Sequence, residues 1–443
     1  MEQGVEVINV AGTKGGKWAS AAGMTLAEWR AAIKFNWTDF GWVIMCIGMA
    51  IGAGIVFLPV QVGRVGLWIY LCSGLIGYPA LWLSQRLYIN TLVASEKCEN
   101  YPSIITGYLG RNMGLILGLL YFLMLIKAIF GYSIASTNDS ASFLHSFGIT
   151  QTVWSSNPFY GLAVICILVA LASRGEKALF KISTGMVLTK LCVIVCLGFV
   201  MIPHWNFANV TSFPEINYLI KQTIIMMPFT ITSLLFSQCL SPLVISYRTH
   251  NENKIVAKYK AVRAMNIAYA ILFVAIFFYA ISFNLTMSQE QAIAAYHQNI
   301  SALAMVAQGV LGNTVRIFSF ILNIFAIMTA FFGAFLGFRE ALQGLAMNIL
   351  RRFMPEEKIN MTYVKYGIFS FAILIPWIVV LINFSLVRFF IIFGPVYGLV
   401  NCLIPLYLVY RVPQLAELKS RSLILVFVAG VMLCLAPVLE FLL

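Results

Sequence analysis

The sequence predicts an all-α polytopic membrane protein with about eleven transmembrane helices. Of its 443 residues, 61% are hydrophobic and 10% are charged, whereas about 25% of a soluble domain is charged. About eleven apolar segments approach the roughly 20 residues that cross a bilayer as a helix. Their approximate cores are 39–62, 66–85, 114–140, 158–173, 182–202, 222–246, 264–284, 317–338, 366–385, 389–410 and 422–441.

The distribution of basic residues supports these spans and predicts their orientation. Lys and Arg collect in the cytoplasmic loops of membrane proteins. With the N-terminus in the cytoplasm, two of the 29 Lys and Arg residues lie within spans and four lie in segments on the outer side of the membrane. The other 23 lie in segments on the cytoplasmic side. Because the number of spans is odd, the C-terminus is expected on the opposite, periplasmic side.

Several classes of protein are disfavoured by what the chain contains. The net charge of +13 is spread over short loops rather than one patch, so no nucleic-acid partner is expected. The nine cysteines show no disulfide or zinc spacing, the spans hold no histidine, and no P-loop is present. The polar N-terminal residues lack the apolar stretch of a cleavable signal peptide. We therefore predict no cofactor, no metal site and no catalytic residues, and a protein that is not an enzyme.

The first apolar segment contains a run that is poorly suited to a helix. Residues 48–59 read GMAIGAGIVFLP, with Gly48, Gly52 and Gly54 within seven residues. Each interior glycine costs a helix about 1 kcal/mol relative to alanine. Within a bilayer, a loosened backbone is tolerated only where it is buried in protein or lines a cavity. The run therefore predicts an interrupted helix whose freed amides and carbonyls form a polar site; a continuous helix with a glycine-rich packing face is the alternative.

The sixth apolar segment contains a second predicted interruption. Residues 227–242 read MPFTITSLLFSQCLSP, in which Pro242 lacks an amide donor and clashes with the preceding turn. Ser237, Gln238 and Ser241 place polar groups at mid-depth. A simple kink is the alternative. Matching interruptions in two inverted halves are the sequence pattern of a secondary-transporter site.

The spacing of the two interruptions predicts the organisation of the chain. The second lies five spans after the first, and since five is odd, the second set of five spans must have inverted topology. We expect a cytoplasmic N-terminal segment at 1–37, a first five-helix repeat at 38–202, a second, inverted repeat at 203–411, and an additional eleventh transmembrane helix at 412–443.

Four motifs resemble those of one family. They are the run at 48–59, FSQCLSP at 236–242, FFGAFLGFRE at 331–340 and TNDS at 137–140. Together they resemble the bacterial hydroxy and aromatic amino acid permeases, and TNDS resembles the serine-permease-like branch. The resemblance implies the inverted five-plus-five, LeuT-like bundle of the amino acid/polyamine/organocation carriers, with helices 1 and 6 broken and one extra C-terminal helix. It also implies import of an amino acid with protons across the bacterial inner membrane.

For an α-amino acid substrate, the two interruptions offer complementary groups. The carboxylate needs donors, which the amides at the start of the second half-helix provide at its positive dipole end. The ammonium needs acceptors, which the carbonyls at the end of the first half-helix and in the sixth segment provide. A hydroxyl side chain could bond to the polar side chains of the sixth segment. The predicted substrate-binding residues are therefore Met49, Ala50, Gly52, Ala53, Gly54, Phe236, Ser237, Gln238 and Ser241.

Proton coupling is predicted to involve three polar residues. Lys190 lies near the middle of the fifth span, where a charge costs at least about 2.5–3.5 kcal/mol. The resemblance implies that such a lysine takes the place of a sodium ion in related carriers; a lysine that snorkels or pairs with a carbonyl is the alternative. Thr329 is expected to face the same region, and its neighbour Ala330 has no hydroxyl for sodium. Asp139, near the outer end of the third span, is either an outer-gate or proton-entry group or a solvated helix end.

The leading prediction is a secondary transporter that imports a small amino acid, above all serine, by proton rather than sodium symport with alternating access. Cysteine, threonine and aromatic amino acids stay open as substrates, because Cys239 and Leu240 stand where the serine branch has a more polar pair. A channel or an amino acid sensor with a carrier fold is the alternative of another class. Membrane lipids are the other expected partners.

Overall fold

The structure, a computed structural model, describes residues 14–96, 98, 101–173, 176–210, 212–250, 253–308, 312–350, 355 and 359–442. Residues 1–13 of the predicted N-terminal segment, and Leu443 at the end of the predicted eleventh helix, lie outside the described residues.

Every regular element in these ranges is a helix. The α-helices are α1 (Lys14–Ala21), α2 (Leu26–Ala32), α3 (Trp37–Ala50), α4 (Ala53–Val65), α5 (Leu67–Ala94), α6 (Tyr101–Leu109), α7 (Arg111–Ser146), α8 (Pro158–Ala172), α9 (Glu176–Val200), α10 (Ile216–Ser233), α11 (Leu240–His250), α12 (Lys254–Thr286), α13 (Gln289–Gln298), α14 (Ala302–Gln308), α15 (Gly312–Leu350), α16 (Met361–Leu381), α17 (Leu386–Ile392), α18 (Gly394–Gly398), α19 (Ile404–Arg411) and α20 (Leu423–Phe441). A π-helical turn, Leu399–Leu403, joins α18 to α19.

The helices confirm a multi-pass membrane protein. Within the described ranges, seven stretches are long and apolar enough to cross a membrane: α5, α7, α10 together with α11, α12, α15, α16 and α20. Two bent pairs, α3 with α4 and α17 with the α18–α19 stretch, raise this to nine if each is one span, and α8 and Gly185–Val200 of α9 are shorter apolar helices. Each of the eleven predicted segments thus coincides with an apolar helix, but seven to nine of them meet the criteria for a crossing.

One bend was not predicted from the sequence. The tenth apolar segment turns by 45° between α17 and the helix that begins at Gly394. Pro395 follows at the first turn of α18, where its missing amide donor costs no hydrogen bond because the first amides of a helix have no partner within it. The Gly394-Pro395 pair is the sequence signal for this bend.

The first two half-helices lie inside the bundle. The α4 side chains from Ile55 to Leu58 are almost completely buried, and α4 packs against α10, α12 and α13. Helix α3 packs against α9 and α12, and α10 packs against α5 and α20. A backbone interruption between α3 and α4 therefore faces protein rather than lipid, as the absence of hydrogen-bonding partners in lipid requires.

A polar cluster fixes the start of α3. Asn36 and Asp39 form a capping box, in which each side chain accepts a hydrogen bond from the other residue's backbone amide. The Asp39 carboxylate is buried and also accepts hydrogen bonds from the Tyr247 hydroxyl at 2.5 Å and from Arg263 Nη2 at 3.0 Å. The cluster ties α3 to α11 and α12.

Replacing Asp39 with alanine is expected to destabilise the fold. A hydrogen bond to a charged group contributes about 1.5–3 kcal/mol. The substitution removes the bonds from Tyr247 and Arg263, together with the half of the capping box in which Asp39 accepts from the Asn36 amide. The thermal unfolding midpoint of the detergent-solubilised protein should therefore fall. Thr38→Ala, at an exposed neighbour in the same helical turn, is the control and should leave it near the wild-type value; equal midpoints for both variants would contradict this account of the cluster.

Candidate functional site

The backbone between α3 and α4 leaves the helical path for two residues. Ile51 has ψ 90° and Gly52 is extended, and the helix axis turns by 47° across the break. The Ile51 amide still donates to the Ile47 carbonyl at 3.1 Å, and the Ile55 amide donates to the Gly52 carbonyl at 3.0 Å. Between these two bonds the regular ladder is broken, so backbone groups around Gly48 and Ile51 need other partners.

Lys190 supplies partners for the freed carbonyls. Its ammonium, on the completely buried side chain, donates to the Gly48 carbonyl at 2.9 Å and to the Ile51 carbonyl at 2.7 Å. It donates a third bond, of 2.7 Å, to the Thr329 hydroxyl on α15, which in turn donates to the Phe325 carbonyl. All three ammonium donors are thus used. The structure brings Lys190 and Thr329 together at the first break. Lys190 is buried there and does not snorkel, but it pairs with backbone carbonyls, as one form of the alternative expected.

The sixth apolar segment is also interrupted, and the interruption lies on the N-terminal side of Pro242. Helix α10 ends at Ser233, residues 234–236 are not helical, and a short 3₁₀ turn, Ser237–Cys239, leads into α11. Pro242 lies in the first turn of α11, where a missing amide is tolerated. The turn that precedes Pro242 is this 3₁₀ turn rather than a regular α-helical turn, so the backbone is irregular immediately before the helix that contains the proline. Ser237 is buried, and its hydroxyl has no hydrogen-bond partner among the described residues.

A cavity of about 70 Å³ lies between the two interruptions. Most of the predicted substrate-binding residues line it: Met49, Ala50, Gly52, Gly54, Phe236, Ser237 and Gln238. The other lining residues were not predicted: Met124, Lys127, Ala128, Gly131, Tyr132, Thr232, Leu235, Ala330, Ala334, Phe390 and Tyr397.

Two predicted residues are placed differently. Ser241 lies in α11 outside the cavity lining, and its hydroxyl is within hydrogen-bond distance of the Tyr88 hydroxyl, at 3.1 Å, and accepts from the Tyr101 amide, at 3.2 Å. Ser241 therefore joins α11 to α5 and α6. Ala53 is the first residue of α4, and only its backbone is described.

Asp139 does not line the cavity. Instead, it connects three helical elements. Its fully buried carboxylate accepts hydrogen bonds from the Ser301 amide at 2.8 Å and from Asn323 Nδ2 at 2.5 Å. It thereby connects α7 to the start of α14 and to α15. The alternative of a solvated helix end is wrong, because the carboxylate is buried and bonded.

The largest group of unpredicted lining residues is one stripe of α7. Met124, Lys127, Ala128, Gly131 and Tyr132 follow the i, i+3, i+4, i+7, i+8 spacing of a single helix face. A charged lysine and a tyrosine within this spacing were the available sequence signal. Which helix the stripe faces depends on tertiary packing and could not be read from α7 alone.

Close contacts bring this stripe and α10 against the first break. A Cβ added at Gly52 would lie 2.9 Å from the Tyr132 hydroxyl oxygen and 3.0 Å from the Ala330 Cβ. A Cβ added at Gly54 would lie 3.1 Å from the Thr232 carbonyl oxygen. Glycine at both positions therefore permits the approach that forms the cavity.

The arrangement suits a small solute that carries both charges. The N-terminus of α4 presents amides that have no partner within the helix and a positive dipole end, which favour an anion. The carbonyls of the interrupted α3 and of residues 234–236 favour a cation. Among the described residues, no group of three or more His, Cys, Asp or Glu could hold a metal ion.

The fold is that of a multi-pass membrane protein with a cavity between two interrupted helical segments. The family model of the tryptophan/tyrosine permease family matches residues 38–411. The chain belongs to this family, and its membership identifies it as a transporter of the amino acid permease class.

Individual relatives extend the match over nearly the whole chain. A protein of Escherichia coli strain K12 named a probable serine transporter is 59% identical over 426 residues, which are 96% of each chain. The serine transporter SdaC of the same strain is 25% identical over 92% of this chain and 95% of its own. The threonine/serine transporter TdcC of Yersinia enterocolitica is 23% identical over 87% and 91%. These relatives confirm the predicted resemblance to the serine-permease-like branch.

Proposed function

We propose that this chain imports serine across the bacterial inner membrane by proton symport. The observation that carries the proposal is the small cavity between the two interrupted helices. Residues of both breaks line it, among them Ser237, whose hydroxyl has no hydrogen-bond partner among the described residues. Two relatives named serine transporters and one named a threonine/serine transporter support the choice of substrate.

The substrate's two charged groups would bind at different parts of the breaks. The carboxylate would accept hydrogen bonds from the amides of Gly52, Ala53 and Gly54 at the positive end of α4. The ammonium would donate to carbonyls of Met49 and Ala50 on one side and of Phe236 and Ser237 on the other. The Ser237 hydroxyl and the Gln238 amide, which line the same cavity, would then contact the side chain of the substrate.

The size of the cavity favours a small amino acid. A buried water needs about 10–15 Å³ of such volume, so 70 Å³ holds a solute of about five to seven water-sized groups. Serine fits this volume. Threonine is the second candidate, because TdcC is named a threonine/serine transporter.

Lys190 is our candidate for proton coupling. Its ammonium holds the two carbonyls freed by the first break and the Thr329 hydroxyl, a position in which related carriers would place a cation. Loss of the proton would remove one donor and the charge, and so weaken the contact that holds α3 and α4 to α9 and α15. Proton binding and the geometry of the break are thereby linked. Ala330 offers no hydroxyl for a sodium ion, and the buried Asp139 is the second candidate for a proton site.

Transport by alternating access would use the predicted repeats. We propose that the halves at 38–202 and 203–411 are related by inversion and move relative to each other around the cavity, with helix 412–443 added at the end. The N-terminus would lie in the cytoplasm and the C-terminus in the periplasm, as the Lys and Arg distribution predicts. Membership in a permease family favours this carrier mechanism over a channel or a sensor.

Uptake by purified protein in proteoliposomes tests the proposal. Labelled serine, threonine, cysteine and tryptophan would be offered under an imposed proton gradient, and separately under a sodium gradient, with protein-free liposomes as the control. Serine accumulation driven by protons alone is expected, with tryptophan excluded. Accumulation that requires sodium, or preference for tryptophan, would contradict the proposal.

A further inference from the structure

The cavity is lined by a buried lysine other than Lys190, which the proposed mechanism does not use. Lys127 lies in α7, is 5% exposed and lines the cavity. Its ammonium is 3.3 Å from the centroid of the Phe390 ring and 5.3 Å from the centroid of the Tyr397 ring. These two aromatic side chains also line the cavity.

Among the described residues, the Lys127 ammonium has no oxygen ligand. In the part of the chain that the structure describes, no hydrogen bond or ion pair engages it, whereas Lys190 donates to three oxygens. Asp139, on the same helix, is twelve residues away, which is about 18 Å along the axis, and its carboxylate is already bonded to Ser301 and Asn323. The ring contacts stabilise the cation by about 2 kcal/mol when it is desolvated, but they leave ammonium N–H donors unused.

A buried ammonium with unused hydrogen-bond donors is energetically unfavourable at this depth in the bilayer. A charged side chain within the bilayer costs at least about 2.5–3.5 kcal/mol, and such residues mark substrate or ion pathways. Three N–H donors on a buried ammonium require oxygen acceptors. Because Lys127 borders the cavity, the solute that occupies the cavity can provide one.

The position of Lys127 fits the side-chain end of the solute. Lys127 lines the same small cavity as Gly52 and Gly54 at the first break. A three-carbon amino acid in this cavity can contact both, with a hydrogen bond of about 2.9 Å at each end. A carboxylate on the α4 amides would therefore direct a short side chain towards Lys127.

We propose that Lys127 is a specificity-determining residue, whose ammonium donates a hydrogen bond to the side-chain oxygen of the substrate. It would select short hydroxyl-bearing amino acids over alanine, which is similar in shape but lacks the oxygen, and would repel cationic side chains. The inference rests on the proposed function, since it assigns one end of the same site.

Competition assays with Lys127→Met test this inference. A hydrogen bond to a charged group of about 1.5–3 kcal/mol corresponds to about 10- to 100-fold in affinity. In wild-type proteoliposomes, serine should therefore inhibit uptake of labelled serine at about 10- to 100-fold lower concentration than alanine does. In Lys127→Met, the affinity for serine should fall by about 10- to 100-fold, towards that for alanine, while the affinity for alanine stays unchanged. Leu119→Met introduces the same side chain on the exposed face of the same helix and should keep the wild-type ratio.

Other outcomes overturn the inference in distinguishable ways. An unchanged serine-to-alanine ratio in a transporting Lys127→Met variant would reject the hydrogen bond and leave serine import standing. An equal loss of affinity for both amino acids would assign Lys127 a structural role. If the variant does not insert, the wild-type ratio decides alone: equal inhibition by alanine and serine overturns the inference. Failure of the wild type to take up serine would overturn the proposed function as well.

Discussion

Replacing Lys190 with alanine is expected to abolish proton-driven accumulation of serine and to retain exchange. The substitution removes the ammonium that donates to the Gly48 and Ile51 carbonyls and to the Thr329 hydroxyl. Without a titratable group at the first break, the proton gradient has no site through which to bias the two conformations, because an ion shifts an equilibrium only by its differential affinity for the two states. Serine should then reach equal concentrations on the two sides of the membrane.

Two assays on the same proteoliposomes measure this. Net accumulation of labelled serine is followed under an imposed proton gradient, and counterflow of labelled against unlabelled serine is followed without one. Leu188→Ala, an exposed position on the same helix, is the control and should behave as the wild type. Undiminished accumulation by Lys190→Ala would assign coupling to another group, of which Asp139 is the first to examine.

Introducing leucine at Gly54 is expected to stop uptake while the protein still inserts into the membrane. A Cβ at this position already lies 3.1 Å from the Thr232 carbonyl oxygen and 3.4 Å from its carbon, and the remaining leucine atoms have to enter the cavity or displace α10. Overpacking of this kind costs about 1–3 kcal/mol, or more where the neighbour cannot move aside. Because the obstacle is backbone, serine uptake should fall at least about 100-fold.

A second glycine in the same span provides the control. A Cβ added at Gly41, in α3, meets nothing within 4 Å, so Gly41→Leu tests the substitution without the contact. Both variants should be recovered from the membrane fraction in similar amounts, and only Gly54→Leu should lose uptake. Wild-type transport by Gly54→Leu would show that the approach of α4 to α10 is not needed.

The first break could be predicted because its cause is local. Gly48, Gly52 and Gly54 weaken the helix wherever the segment packs, and a weakened helix within a bilayer must be buried. The partnership of Lys190 and Thr329 was also accessible, because one is charged at mid-span and the other stands beside Ala330 in a polar-poor segment. In the structure, the Lys190 ammonium donates both to the freed carbonyls and to the Thr329 hydroxyl.

The rest of the cavity depends on contacts between distant segments. Lys127 and Tyr132 on α7 meet Phe390 and Tyr397 only when the bundle is assembled. The spacing of residues within α7 does not indicate which helices pack against it. Ser241 shows the opposite case. Its position in the sixth segment predicted that it binds substrate, but its hydroxyl instead contacts the Tyr88 hydroxyl and the Tyr101 amide, outside the cavity.

Determination of the structure by electron cryomicroscopy in the presence of saturating serine tests the central claim most directly. We predict density for serine between α4 and the Ser237–Cys239 turn, with its carboxylate on the amides of residues 52–54 and its side chain towards Ser237 and Lys127. Serine bound at another place, or continuous helices through Gly52 and Ser237 with no cavity between them, would contradict it.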